Sequence, residues 1–411
     1  MKVEIVSADR TAPQTAEQTG YPILPVAQQW LLWAGFVLVA VNLRLIFATV
    51  GPLLKNLELG FVSTLWVTTL PLVLLGVFSI PGVRLRLWLG EERALFLALA
   101  VLVIGCGIRW FGEAGLIVGT VLGSAGIAVM NVIMPVLARK RFGPQRMGMV
   151  MGIYALMLGV GAVLGASVSF PLFRLMGADA ASAFQALGLW AIPALLALVV
   201  WLPQLRFTAS MPGSAGECAA SVTNVYRNGT AWSITLFFGL QVLNLYVFLP
   251  WMPTILTDRG TTSATAALIF SVSQLGLMIG SFVTPLMAAR TSDQRAYIAM
   301  TVLLCLVGTM GLMYAPIGTA MLWSTLLGFG QGAGLSLGTF LFIAKSASIH
   351  TATHISAMAQ TIGYLIAVAG PLLIGAIYQR TGDWNVPILI VASILLVQLV
   401  VSLPAGRNVK I

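Results

Sequence analysis

Twelve runs of about twenty mostly apolar residues follow one another along the chain, at 29–54, 61–82, 94–112, 115–138, 147–173, 183–203, 230–256, 263–289, 296–315, 317–343, 355–378 and 385–404. A helix rises about 1.5 Å per residue, so such runs match the ~30 Å hydrocarbon core of a bilayer. In lipid each backbone polar group must find its partner within the spanning structure, and a helix achieves this run by run. The sequence therefore reads as an all-α integral membrane protein with twelve transmembrane helices. Its charge content agrees: 8% of residues are charged, against roughly a quarter in soluble domains.

Basic residues give the expected topology. With twelve spans, Arg84, Arg86, Arg93, Arg139, Lys140, Arg141, Arg146, Arg290, Arg295 and Lys345 fall on one side, while Lys55, Arg109, Arg174, Arg259 and Arg380 fall on the other. The richer side is cytoplasmic by the positive-inside rule, which places both termini there. Residues 1–28 read as a cytoplasmic tail with no signal-peptide pattern. The longest polar interruption, 204–229, holds Pro212, Gly213, Ser214 and Gly216 and has linker composition. It separates a six-helix bundle at 29–203 from a second at 230–404, with a short tail at 405–411.

The formal net charge of +10 is scattered through short loops rather than arranged as a basic stripe with aromatics, so nucleic acid is not an expected partner. Cys106 and Cys305 lie in apolar runs and Cys218 in the linker, which gives neither a disulfide framework nor a metal-ligand spacing. No metal or cofactor is expected, and a monomer in the lipid bilayer is.

Arg44 stands out within the first run. A guanidinium costs roughly 2.5–3.5 kcal/mol near the centre of a membrane helix and lies here about 15 Å from the helix end, too deep to snorkel comfortably. It stays charged and offers five fixed donors, which suits a carboxylate or a small oxyanion. The alternative is a structural arginine bonded to the carbonyls of a broken helix near Gly51-Pro52. Asn42, two residues away, points elsewhere on an ideal helix. The acidic residues, from Glu58 to Asp383, all fall outside the runs or at their ends, and His350 and His354 sit at the mouth of the eleventh. A protein-borne proton relay is therefore poorly supported, and an anionic substrate is the simplest partner for Arg44.

The two halves carry a weak internal repeat. Tyr154 and Gly165 match Tyr364 and Gly375 at one offset, and Asn42-Leu43-Arg44 resembles Asn244-Leu245-Tyr246 at another. Parallel six-helix halves joined by a linker resemble the major facilitator superfamily. A narrower resemblance is to its cyanate and 2-nitroimidazole transporter branch. It rests on Asn42-Leu43-Arg44 with Val50-Gly51-Pro52-Leu53-Leu54, on Gly126-Ile127-Ala128-Val129-Met130-Asn131-Val132-Ile133-Met134-Pro135 with Lys140-Arg141-Phe142, and on Met358-Ala359-Gln360-Thr361-Ile362-Gly363-Tyr364. The loop after the second helix keeps Gly90 and basic residues but has Leu87 where that superfamily usually carries Asp.

The resemblance implies halves that rock about a central site, lined by helices one, four, seven and ten with contributions from five, eight and eleven. It nominates Asn131, Gln241, Asn244, Tyr246 and Gln331, joined by Tyr154, Gln274, Gln360 and Tyr364, as substrate-facing residues. Each amide can equally serve as interhelical glue. Arg109 is expected at an outer vestibule or in an exposed pair with Glu113 four residues on. Gly159, Gly161, Gly165, Gly328, Gly332 and Pro371 are expected to pack or hinge, since no strand–glycine–helix context supports a nucleotide site.

The expected function is alternating-access transport of a small anion, a cyanate-like ion or organic acid, across the bacterial inner membrane. The alternative is export of a small neutral heteroaromatic such as 2-nitroimidazole. An enzyme is not expected, because neither paired acids nor a nucleophile set lies within the runs.

Overall fold

The computed structural model describes residues 26–54, 56–207 and 225–411; most of the expected N-terminal tail and linker, with Cys218, lies outside them. The described chain is helical, with no strand among the described residues. Helix α1 is Val26–Ala48, continued after Thr49 by the short turn Val50–Leu53. There follow α2 (Phe61–Leu89), α3 (Glu91–Ile108), α4 (Gly112–Phe142) and α5 (Met147–Leu175). The sixth span, α6, runs as two pieces, Ala180–Gly188 and Ala191–Trp201. The second set is α7 (Gly229–Asp258), α8 (Ser263–Ala288), α9 (Arg295–Tyr314), α10 (Ala320–Ala344), α11 (Ile349–Thr381) and α12 (Asn385–Ser402).

Eleven of these are long and apolar enough to span a membrane by composition alone. The twelfth, α3, misses that measure because it opens on Glu91, Glu92 and Arg93. Helix starts follow capping chemistry: side-chain oxygens of Asp179, Asn228, Thr262 and Ser348 accept from backbone N–H groups of their first turns. Gly382 closes α11 in the left-handed region, where a Cβ would be strained. The tight α2–α3 turn likewise needs positive φ at Gly90.

Helices α1–α6 pack mainly among themselves, as do α7–α12, and the two sets meet along α2 with α11 and α5 with α8. Glycines set how closely helices approach. A Cβ on Gly161 or Gly165 of α5 would fall on the Val41 or Leu45 carbonyl oxygen of α1, on either side of Arg44. On α10, Gly328 and Gly332 meet the Ser273 and Leu277 carbonyls of α8 in the same way. Gly159 instead faces Met278 across the seam between the two sets.

Candidate functional site

Arg44 sits half-buried at the centre of the bundle, within electrostatic reach of Tyr246, Tyr364 and Tyr154. Tyr364 lies in the same neighbourhood as Tyr154 and Tyr246. The ion pairs among the described residues lie at helix ends, and none includes Arg44. Two pseudo-symmetric pairs thus converge, one being Arg44 with Tyr246 and the other Tyr154 with Tyr364.

Two of the three tyrosine rings pack against phenylalanines. Tyr154 lies 6.0 Å from Phe36 between ring centroids, and Tyr364 meets Phe238 edge-on at 5.8 Å. Both tyrosines are buried, and of their two hydroxyls only that of Tyr364 has no hydrogen-bond partner among the described residues. Sequence reasoning missed the two phenylalanines, although Phe36 and Phe238 are separated by 202 positions, as are Asn42 and Asn244.

Asn131 of α4 joins this group to the opposite set. The Tyr154 hydroxyl donates to Asn131 Oδ1 at 3.3 Å, and Gln360 Nε2 of α11 donates to the Asn131 main-chain oxygen at 3.1 Å. Gln331 Nε2 donates to Asn244 Oδ1 at 2.9 Å, leaving Asn244 Nδ2 buried without a partner. Gln274 is half-buried on α8.

Three expectations need correction. Gln241 does not face the centre: its Nε2 donates to the Gly330 and Gln331 carbonyls and its Oε1 accepts from Gln398 of α12, which makes it interhelical glue inside the second set. Asn42 also turns away, donating to the Leu38 and Pro193 carbonyls and tying α1 to α6. Arg109 is 1% exposed and forms neither an open vestibule wall nor a pair with the exposed Glu113. Its Nη1 donates to the Ile46 carbonyl and its Nη2 to Thr120 Oγ1, so the structural role weighed for Arg44 belongs to Arg109. Pro371 takes part in packing, where its carbonyl accepts from Trp251 Nε1.

The end of the bundle that carries the α2–α3 and α10–α11 turns is sealed between the two sets. Arg86 Nη1 donates to Thr353 Oγ1 at 2.6 Å, and Arg139 Nη1 donates to the Ile343 and Ser346 carbonyls. Val83, Val132 and Ala357 close a dry layer above them. Arg86 is held in turn by Glu91, whose other oxygen accepts from Lys140 Nζ at 2.7 Å. Burial would raise the Glu91 carboxyl, but Arg86 and Lys140 outweigh it and bring the group down to about 2. Beside it, burial pushes the Glu92 carboxyl up against the opposing pull of Lys140 and Arg141.

The family model of the Major Facilitator Superfamily matches residues 32–371, with a second match at 234–408. The chain belongs to the major facilitator superfamily. It is 35% identical to the 2-nitroimidazole transporter of Escherichia coli K12 over 93% of this chain and 96% of that one. It is 28% identical to the cyanate transport protein CynX of the same organism, over 88% of this chain and 95% of that one. The fold superposes on the Escherichia coli fucose:proton symporter FucP with a TM-score of 0.73 at 15% identity, covering 92% and 98% of the two chains. The protein is accordingly a multi-pass secondary transporter of the superfamily, and its chemistry is binding and release rather than catalysis.

Proposed function

We propose that this facilitator carries a small anion, a cyanate-like ion or small organic acid, through a central site in which Arg44 supplies the charge. The observation that carries the reading is Arg44 itself, half-buried, with three tyrosines in reach and no ion pair to a described carboxylate. A cation partly withdrawn from water without a protein counter-ion is costly, and a bound anion offsets the cost. The hydroxyls of Tyr246 and Tyr364 orient the anion, with Tyr154 braced on Asn131 beside them, while Gly161, Gly165, Gly328 and Gly332 let the two six-helix bundles, 29–203 and 230–404, move as units. The charge distribution supports a bacterial inner-membrane setting with both termini and the sealed basic end cytoplasmic, and a monomer suffices for the cycle.

The 35% identity to the 2-nitroimidazole transporter favours a second reading, export of a small neutral heteroaromatic. The burial of Tyr154 and Tyr364, each packed against a phenylalanine, argues against it, because a flat ligand is left mainly Tyr246 to stack on.

Tracer uptake and ligand-induced thermal stabilisation, measured against a panel of small anions and neutral heteroaromatics, test the two. Under the anion reading Arg44→Ala and Arg44→Lys both lose the anion response, the latter because an ammonium lacks the planar fork. Binding of neutral compounds that survives Arg44→Ala overturns it.

A further inference from the structure

Pro135 lies inside α4, and a proline has no N–H for the carbonyl four residues back. That carbonyl belongs to Asn131. It is not left bare, because Gln360 Nε2 of α11 donates to it at 3.1 Å. The acceptor that the first set of helices cannot satisfy is satisfied by the second. In lipid-embedded helices, a backbone group freed by proline needs such an outside partner.

The surroundings fit a bond that is made in one state of the cycle and broken in another. Gln360 is 2% exposed, and its Nε2 is steered by a second bond to Ser356 Oγ, one turn back on α11, at 2.8 Å. Next to Asn131 on α4 is Val132, and three residues before Gln360 is Ala357, both in the dry layer with Val83. Arg86 and Thr353 close the end of the bundle beyond that layer. Opening this end would admit water to the Asn131 carbonyl, and water can replace the glutamine there. On the other side, the Tyr154 hydroxyl on Asn131 Oδ1 places the bond one hydrogen bond away from the tyrosines around Arg44.

We propose that Pro135, the Asn131 carbonyl and Gln360 form a latch that positions the two six-helix sets in the state closed at the basic end and releases when that end opens. Pro135 creates the need for a donor, and Gln360 supplies it from across the seam. The latch concerns the alternating-access movement of the family and does not depend on which substrate Arg44 binds.

The test uses full-length protein in lipid nanodiscs without substrate. Val83→Cys in a Cys218→Ser background reports opening through its maleimide-labelling rate, since Cys106 and Cys305 are buried. Gln360→Met keeps side-chain bulk and removes the donor, and labelling is expected to accelerate about fivefold, the worth of one net hydrogen bond. Thr361→Val, beside Gln360 on α11, removes a hydroxyl that has no hydrogen-bond partner and is expected to label near the parental rate. Pro135→Ala returns an N–H to α4, so adding it to Gln360→Met is expected to bring the rate back toward the parent. Equal acceleration by Gln360→Met and Thr361→Val would overturn the latch, as would no acceleration by Gln360→Met. If Pro135→Ala lowers the yield of folded protein, the contrast between Gln360→Met and Thr361→Val decides alone.

Discussion

Arg109 Nη1 on α3 donates to the Ile46 carbonyl oxygen at 3.2 Å, where α1 breaks just beyond Arg44. Two arginines therefore meet the same stretch of helix in different ways. Arg109 is enclosed, with Gly119 and Gly123 of α4 against its side chain and Thr120 as its second acceptor, whereas Arg44 is left without a hydrogen-bonded or ionic partner among the described residues. Truncating Arg109 to Ala leaves a cavity and strips a bond from the α1 break, at a cost of about 3 kcal/mol. The expected result for Arg109→Ala is a lower thermal transition with ligand affinity changed less than about threefold. Arg44→Ala should do the reverse, and thermal scanning of both variants with and without ligand checks the contrast.

Gly161 offers a sharper probe of how the site is held. Its α-carbon lies so close to α1 that a Cβ would meet the Val41 carbonyl, three residues before Arg44. Gly161→Ala must push α1 from α5 and carry Arg44 away from Tyr154. Overpacking of this kind costs about 1–3 kcal/mol, and ligand affinity should fall with stability. Gly51→Ala, where nothing stands within 4 Å of the added carbon, is the control and should leave both unchanged.

Much of this was legible in the sequence, for identifiable reasons. Apolar run length and the asymmetry of basic residues report the helices directly, because lipid imposes both. Arg44 drew notice because a guanidinium in an apolar run is costly, but that signal alone does not separate it from Arg109, which is held by the Ile46 carbonyl and Thr120. The orientation of Gln241, Asn42 and Arg109 was not legible, since each is a polar residue on a helix whose faces all look apolar, and only the neighbour decides between ligand and glue. Pro135, four residues after Asn131, did carry a readable signal of a freed carbonyl, yet nothing in the sequence says that Gln360 lies opposite.

The tyrosine hydroxyls distinguish the two substrate classes without touching Arg44. Tyr364→Phe keeps the ring against Phe238 and removes only the hydroxyl, so packing should survive. A hydrogen bond to an anion is worth about 1.5–3 kcal/mol, which predicts a loss of anion affinity of at least about tenfold. A flat neutral ligand held by shape should bind the Phe variant almost as well as the parent. Titration calorimetry with one compound of each kind reads the difference, and equal retention of both would count against hydroxyl-mediated anion binding.

Glu91 makes the basic end sensitive to acid. Its folded value of about 2 lies below its ordinary 4.5, because Arg86 and Lys140 overcome the penalty of burial. A lowered carboxylate stabilises the folded chain fully above pH 4.5 and loses that contribution as pH falls toward 2. The contribution is on the order of 3 kcal/mol at neutral pH, from about 1.4 kcal/mol per pH unit. Removing the charge also leaves Arg86 and Lys140 buried beside a neutral group, and Arg86 is the residue that reaches Thr353 across the seam. Glu91→Gln should therefore lower the thermal transition at pH 7 and flatten its decline between pH 4.5 and 2, while raising accessibility of the α2–α11 seam to labelling. A variant that melts like the parent at pH 7 would show that the Glu91 pairs give no net stability, and that Arg86 holds Thr353 without them.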